Sequence, residues 1–116
     1  QAHDAAYAAV SHLPHLIAFA LINSISGQAH GKEYLSLAGP GFRDFTRIAA
    51  SDPKMWRDIL IANKEELLEQ SKIFQDTLHS LEKLIAGTEG DALEERIDQA
   101  SHTRATWRIT PPKALK

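Results

Sequence analysis

The sequence contains no cysteine and no excess of charge of either sign. Without thiols it forms no disulfide, thiolate zinc site or cysteine nucleophile, and a cytoplasmic origin is favoured. Its 13 basic residues stand against 15 acidic ones, which leaves a net charge of −2. This balance argues against a general nucleic-acid-binding protein, so we expect no nucleic-acid partner.

Long hydrophobic runs are also scarce. The longest, residues 13–25, is interrupted by His15 and Asn23 and is shorter than the roughly 20 residues that cross a bilayer. We interpret it as a buried helix of a soluble core and expect no membrane partner. The chain starts at Gln1 without a basic leader segment or a small-residue cleavage site, which suggests a fragment of a longer protein.

Helical periodicity dominates what is present. A length of 116 residues predicts one hydrophobic core without an internal domain boundary. Over residues 3–25, apolar side chains recur at three- and four-residue spacing nearly all round the helix, so we expect this helix to be central. Pro14 lacks an N–H group and should kink it near Val10.

A cluster of helix breakers, Gly39-Pro40-Gly41, follows a short predicted helix over residues 34–38. A second helix is predicted over residues 42–50, with phenylalanines on one face and charged residues on another. The breakers therefore predict a turn between two short helices.

One long helix is predicted next. Ser51 or Asp52 caps its start, and Pro53 takes the first helical position. No Gly or Pro follows before Gly87, so the helix runs over residues 53–86, which is about 34 residues and roughly 50 Å. Such a helix is longer than a domain of this size is wide, so something outside the monomer should cover part of it. Its apolar stripe has the spacing of paired helices and consists of Leu60, Leu67, Phe74, Leu78, Leu81 and Ile85.

The C-terminal region predicts one more amphipathic helix. Gly87 is a suitable C-cap, and Asp91 with Glu94 forms a variant of the capping box. No strand pattern exceeds a few residues, so the predicted fold class is all-α. We assign residues 1–105 to a single helical domain and residues 106–116 to an extended tail or linker.

Ser11, His12 and His15 form the first candidate site, on the apolar helix that Pro14 interrupts. Imidazole titrates near neutrality and both donates and accepts hydrogen bonds, so either histidine could hold an anion or a substrate oxygen. A metal site is also conceivable. The alternative is that both histidines are buried and satisfied by backbone carbonyls.

The second candidate site combines the Gly-rich turn with Arg43 and Arg47, which lie four residues apart with Asp44 between them. Helix N-terminal amides and guanidinium groups attract carboxylates, so a small dianion would suit this segment. The alternative is a solvated helix face with an internal ion pair between Asp44 and Arg47.

Two tryptophans remain ambiguous. Trp56 could line a pocket or cap the core, and Trp107 could pack against a partner chain. The sequence has no Gly-x-Gly-x-x-Gly, no phosphate-binding Lys-Ser or Lys-Thr loop, no Gly-x-Ser-x-Gly and no His-Glu-x-x-His. We therefore predict that this part of the protein contains no cofactor-binding fold.

Three strings, in this order, resemble the C-terminal domain of the prephenate and arogenate dehydrogenase family. They are SHLPHLIA at residues 11–18, AGPGFRDFTRIA at residues 38–49 and SDPKMWRDI at residues 51–59, with His3-Asp4 upstream. The resemblance covers residues 2–100, and it extends to the C-terminal domain of phosphogluconate-dehydrogenase-like enzymes in fold.

The resemblance implies an oxidoreductase of tyrosine biosynthesis. In this family NAD or NADP takes a hydride from prephenate or arogenate while carbon dioxide leaves. The nucleotide-binding domain and its catalytic histidine lie upstream of Gln1, so this fragment alone is expected to be inactive, to bind little of the cofactor and to need no metal. The family's helical domain forms a homodimer through intertwined long helices and supplies part of the substrate pocket.

Carried over by position, Arg47 matches the arginine that binds a substrate carboxylate. His12, His15 and Ser11 match pocket-lining positions of the histidine-rich motif.

The remaining correspondences concern the surroundings of the pocket. Arg43 and Asp44 match a charged network at its mouth, and Trp56 matches an aromatic position beside it. Asp4 matches an acidic position that could orient a histidine.

Two competing interpretations belong to other classes. The chain could be a purely structural dimerisation module, in which Arg47 only stabilises the interface. It could also be a metal protein based on His3, His12 and His15, although no fourth ligand is identified.

Overall fold

Helices are the only regular secondary structure in residues 2–109, the part of the chain that the computed structural model describes. This confirms the predicted all-α class. The chain divides into two compact units, residues 1–73 and 74–116, instead of the single core predicted from its length. The boundary falls inside helix Lys64–Ala86. Side chains at the two ends of such a helix are too far apart to pack in the same core.

The first unit begins with the predicted central helix, in three segments: α1 (Ala2–Tyr7), a π-helical turn (Ala8–His12) and α2 (Leu13–Ser26). In the π turn the Leu13 N–H donates to the carbonyl of Ala8. A proline ring clashes with the carbonyl four residues earlier, and the wider turn makes room for it. The helix therefore accommodates Pro14 through a π turn just before the proline.

This helix contacts the three helical segments that follow it, which confirms its central position in the first unit. Among its residues 3–26 only Ala8, Leu13 and Ala18 are buried, so this part of the helix is less enclosed than its apolar sequence predicted. Residues His3–Ser26 also form a helix of 24 residues that is long and apolar enough to cross a membrane. The core helices of soluble proteins have the same length and composition, so this property is weak support for a membrane span.

Two short helices surround the breaker cluster. Helix α3 (Gly31–Ser36) starts before the predicted residue 34, and a Cβ at Gly31 would lie 2.5 Å from the Ile25 carbonyl oxygen. Glycine therefore permits close approach to α2. Helix α4 (Pro40–Thr46) starts at the proline rather than at Phe42, because Pro40 fits the first helical position, and a 3₁₀ turn (Arg47–Ala49) follows it.

The predicted long helix is interrupted at Asn63. Helix α5 (Pro53–Ala62) is capped by Asp52, whose carboxylate accepts from the Met55 N–H at 2.8 Å. Helix α6 (Lys64–Ala86) follows Asn63, which has φ −115° and ψ 36°. The Asn63 side-chain amide donates to the Asp4 carbonyl at 2.9 Å. The prediction of one continuous helix was therefore wrong. The helix breaks at Asn63, and the side chain of Asn63 contacts a residue distant in sequence, which helical periodicity does not reveal.

The second unit contains the end of α6 and helix α7 (Gly90–Thr106). In the turn between them, Thr88 rather than a glycine adopts positive φ, at 53°. The predicted capping box is wrong, because Glu89 precedes α7 without a side-chain cap and Asp91 lies inside its first turn. Residues 107–109 are not helical, and the predicted extended tail over residues 110–116 lies outside the described residues.

Candidate functional site

A histidine ring stacks on a tryptophan in the first unit. The centroids of the His15 and Trp56 rings are 3.6 Å apart, and their planes differ by 16°. One turn earlier, the Ser11 carbonyl oxygen lies 2.9 Å from His15 Nδ1. Because a carbonyl oxygen only accepts, Nδ1 carries the proton of this bond, and Nε2 of the neutral ring is left as an acceptor.

His12 and Phe19 meet the same tryptophan edge-on. Their ring centroids lie 6.2 Å and 6.4 Å from that of Trp56, at interplanar angles of 81° and 68°. His12 Nδ1 is buried and has no hydrogen-bond partner among residues 2–109. Satisfaction by a backbone carbonyl, the alternative considered for both histidines, therefore holds for His15 and not for His12.

The π turn explains why these groups converge. It ends at His12 and leads directly into α2, which carries His15 and Phe19 one turn apart. Trp56 lies in the second turn of α5, held at its start by the Asp52 cap. π turns are frequent at functional sites because they re-aim side chains within a helix.

A cavity of about 400 Å³ lies beside Trp56, within the size range of small-ligand pockets. It is bounded by α2, by the segment around the 3₁₀ turn and by α5. The residues that line it are Phe19, Ile22, Asn23, Ala49, Ser51, Pro53, Trp56, Arg57 and Leu60. Trp56 therefore lines the cavity, one of the two roles considered for it, and it also contacts a histidine.

The predicted arginine site is open to solvent. Arg43 and Asp44 form a loose, exposed pair with Nε and Oδ1 3.5 Å apart, so the predicted pair between Asp44 and Arg47 is not observed. Among residues 2–109, Arg47 has no ion pair, and it does not line the cavity, although its 3₁₀ turn includes the lining residue Ala49.

Asp4 is not brought to the histidines. Its carboxylate makes no hydrogen bond or ion pair within the described part of the chain, and its backbone carbonyl accepts the bond from Asn63. Ser11 contributes its carbonyl oxygen to the site. Asp4 therefore helps to join α1 to the start of α6 rather than to orient a histidine.

Sequence reasoning missed Arg57 and Asn23 as lining residues. Arg57 shares one face of α5 with Trp56 and Leu60, at the three- and four-residue spacing of a helix, and that spacing could have identified it. Asn23 was considered only as a polar interruption of an apolar run. Across residues 2–109 there is no group of three or more side chains that could hold a metal ion.

Comparison with known proteins identifies relatives of one kind. The family model described as prephenate dehydrogenase, dimerization domain, matches residues 1–99. The chain is 38% identical over 104 residues to the cyclohexadienyl dehydrogenase of Zymomonas mobilis, covering 88% of the chain and 36% of that enzyme. It is 39% identical over 87 residues to the prephenate dehydrogenase of Bacillus subtilis, covering 71% of the chain and 22% of that enzyme.

Solved structures with the same fold bear related names. The arogenate dehydrogenase of Synechocystis superposes with a TM-score of 0.84 at 29% identity, over 91% of this chain and 39% of that one. The prephenate dehydrogenase of A. aeolicus, in complex with hydroxyphenyl propionate and NAD+, superposes with a TM-score of 0.83 at 38% identity. The superposition covers 89% of this chain and 36% of that one. The chain thus spans between 22% and 39% of the length of these relatives. It belongs to the prephenate dehydrogenase dimerization-domain family.

Proposed function

We propose that this chain is the dimerisation and substrate-binding part of an NAD(P)-dependent prephenate or arogenate dehydrogenase. The family match over residues 1–99 carries the proposal, together with relatives named for this activity. The reaction is an oxidative decarboxylation on the route to tyrosine. The substrate ring loses carbon dioxide and transfers a hydride to the nicotinamide, and it becomes aromatic.

The cofactor supplies the hydride acceptor, and a separate nucleotide-binding domain binds most of it in this proposal. A structure of the A. aeolicus relative with NAD+ supports a nicotinamide cofactor, while the choice between NAD and NADP belongs to that other domain. We place the whole enzyme in the cytoplasm, where such biosynthetic enzymes act. The complete protein consists, in this proposal, of a nucleotide-binding domain followed by residues 1–105 and a tail.

The stacked histidine suggests how this chain contributes to substrate binding. Ser11 fixes the His15 ring so that Nε2 is available to accept a hydrogen bond from a substrate hydroxyl. His12 is the second histidine of this proposal, because its buried Nδ1 has no hydrogen-bond partner among residues 2–109, although neither histidine lines the cavity beside Trp56. Burying the Nδ1 of His12 without a partner costs roughly 1–3 kcal/mol, and a bound substrate that hydrogen-bonds to it would remove that cost.

Arg47 binds a substrate carboxylate in this proposal, and Arg43 with Asp44 lies at the mouth of the pocket. The support for Arg47 is its guanidinium, which is exposed and has no internal ion pair within residues 2–109. Arginine presents two parallel N–H groups to a carboxylate, so one side chain both attracts and orients it.

The Arg47→Gln substitution in the full-length protein tests this role. We expect KM for prephenate to rise about 30-fold or more, since a charge-assisted contact contributes roughly 2 kcal/mol. Steady-state kinetics with NAD+ measures the change. The matched control is Arg96→Gln, an exposed arginine on α7 of the other unit, which should leave KM unchanged.

A purely structural dimerisation module is the second candidate function. The observation in its favour is that Arg47 does not line the cavity beside Trp56. In that case Arg47→Gln leaves KM unchanged and instead weakens the dimer. Kinetics and solution mass measured on the same variant therefore separate the two functions.

A further inference from the structure

The cavity beside Trp56 has a chemical character that the proposed function does not use. Most of its lining is apolar or aromatic, and Asn23 and Ser51 supply polar groups. Among its lining residues Arg57 alone is charged. Ser51 already uses its hydroxyl to donate to the Ile48 carbonyl. An apolar pocket with one cation is suited to a ring compound that carries a negative group.

We propose that Arg57 is a second carboxylate-binding residue, which holds an acidic substituent of a ring compound seated in the cavity against Trp56. The proposal rests on the proposed function for the natural ligand, because prephenate and arogenate each carry two carboxylates on one ring framework. Arg47 then binds one carboxylate and Arg57 the other.

The guanidinium of Arg57 is arranged for this task. Its Nε–H donates to Asp58 Oδ1 at 2.9 Å, and the pair is exposed. This bond occupies one edge of the guanidinium plane and restrains its orientation. The two terminal NH₂ groups have no hydrogen-bond partner among residues 2–109. They form the other edge of the guanidinium, which can donate two parallel hydrogen bonds to a carboxylate.

Aromatic side chains of the cavity provide a surface on which the ring of the ligand can stack. One face of the Trp56 indole is covered by His15 at 3.6 Å, and Phe19 meets the indole edge-on at 6.4 Å. Trp56 and Phe19 also line the cavity, so part of this aromatic surface stays accessible. Flat rings stack on such surfaces.

Phenylacetate and phenylethanol test the proposal on this chain, because they share a ring and differ in charge. The background variant is Trp107→Phe, which leaves Trp56 as the only tryptophan and fluorescent reporter. We expect saturable binding of phenylacetate. The Arg57→Gln substitution should raise its Kd about 30-fold, the effect of losing one charge-assisted contact. Phenylethanol should bind with the same Kd in both proteins.

The chain offers a matched control. Arg96 on α7 of the other unit is likewise an exposed arginine, and it does not line the cavity. Arg96→Gln should therefore leave the Kd of phenylacetate unchanged. Far-ultraviolet circular dichroism checks that each variant keeps its helical content.

Two results overturn the proposal. In the first, a folded chain shows no saturable binding of phenylacetate. In the second, Arg47→Gln weakens binding and Arg57→Gln does not, so the carboxylate lies on Arg47 alone. The proposed function survives both results, because its own test is the effect of Arg47 on KM in the full-length protein.

Discussion

At the scale of single residues, position on a helix decides chemistry more than residue type does. His12 and His15 lie three residues apart, yet their Nδ1 atoms differ. Nδ1 of His12 has no hydrogen-bond partner within residues 2–109, whereas Nδ1 of His15 donates to the Ser11 carbonyl. Arg43 and Arg57 both pair with the next aspartate, but only Arg57 lines a cavity. The candidate site therefore depends on which face of α2 and α5 each side chain occupies.

A residue-scale prediction concerns Thr88, which has φ of 53°. A β-branched side chain is strained there, and glycine is not. We expect Thr88→Gly to raise the free energy of unfolding by roughly 0.5–1 kcal/mol, after the larger entropy of glycine in the unfolded chain is subtracted. Urea denaturation measures it.

The same substitution within a helix serves as the comparison. Thr103 lies inside α7, where glycine is a poorer helix former than threonine. Thr103→Gly should therefore lower the stability. If Thr88→Gly also lowers it, the left-handed conformation at residue 88 is not a source of strain.

At the scale of elements, caps and breaks decide where the helices start and end. Asp52 caps α5, which decides between Ser51 and Asp52, the two residues that the sequence offered for this role. Asp91 was predicted to cap α7 but lies inside the helix, because the chain enters the helical conformation already at Gly90. Asn63 ends α5 without a Gly or Pro nearby, and its side chain bonds to the Asp4 carbonyl. Capping signals in a sequence thus indicate a helix start only to within a residue or two.

The two aspartates make a paired prediction at this scale. Asp52→Ala removes the acceptor for the Met55 N–H and should lower the free energy of unfolding by about 1 kcal/mol. Asp91→Ala removes only a favourable charge in the first turn of α7 and should cost roughly 0.3 kcal/mol. Thermal and urea unfolding of both variants measure the difference. Equal losses would contradict the assigned caps.

At the scale of the whole molecule, much apolar surface is left uncovered by the chain itself. No large side chain among the described residues is fully buried. On α6, Leu67 is buried, but Leu78 and Ile85 of the predicted stripe are 43% and 62% exposed. Burying such side chains stabilises by about 1.5–3 kcal/mol each, so exposed ones favour association. This surface supports the proposed homodimer.

The solution mass tests the proposed dimer. Light scattering over a range of concentrations should give twice the 12.8 kDa of the chain. Leu78→Glu should shift the mass towards that of the monomer, because it places a charge in the predicted interface. Leu37→Glu is the control, since Leu37 is 83% exposed and lies outside α6. A monomeric parent chain at high concentration would contradict the dimer.

The sequence by itself determined the helical class, the N-terminal helix, the start of α5 before Pro53 and the family, because periodicity, capping and motif order are local properties of the chain. Only the tertiary structure decided the break at Asn63, the stacking of His15 on Trp56 and the place of Arg57 in the cavity wall. These features join residues distant in sequence. Helical spacing gives the face on which a side chain lies, whereas packing of α2 against other segments decides what that face meets.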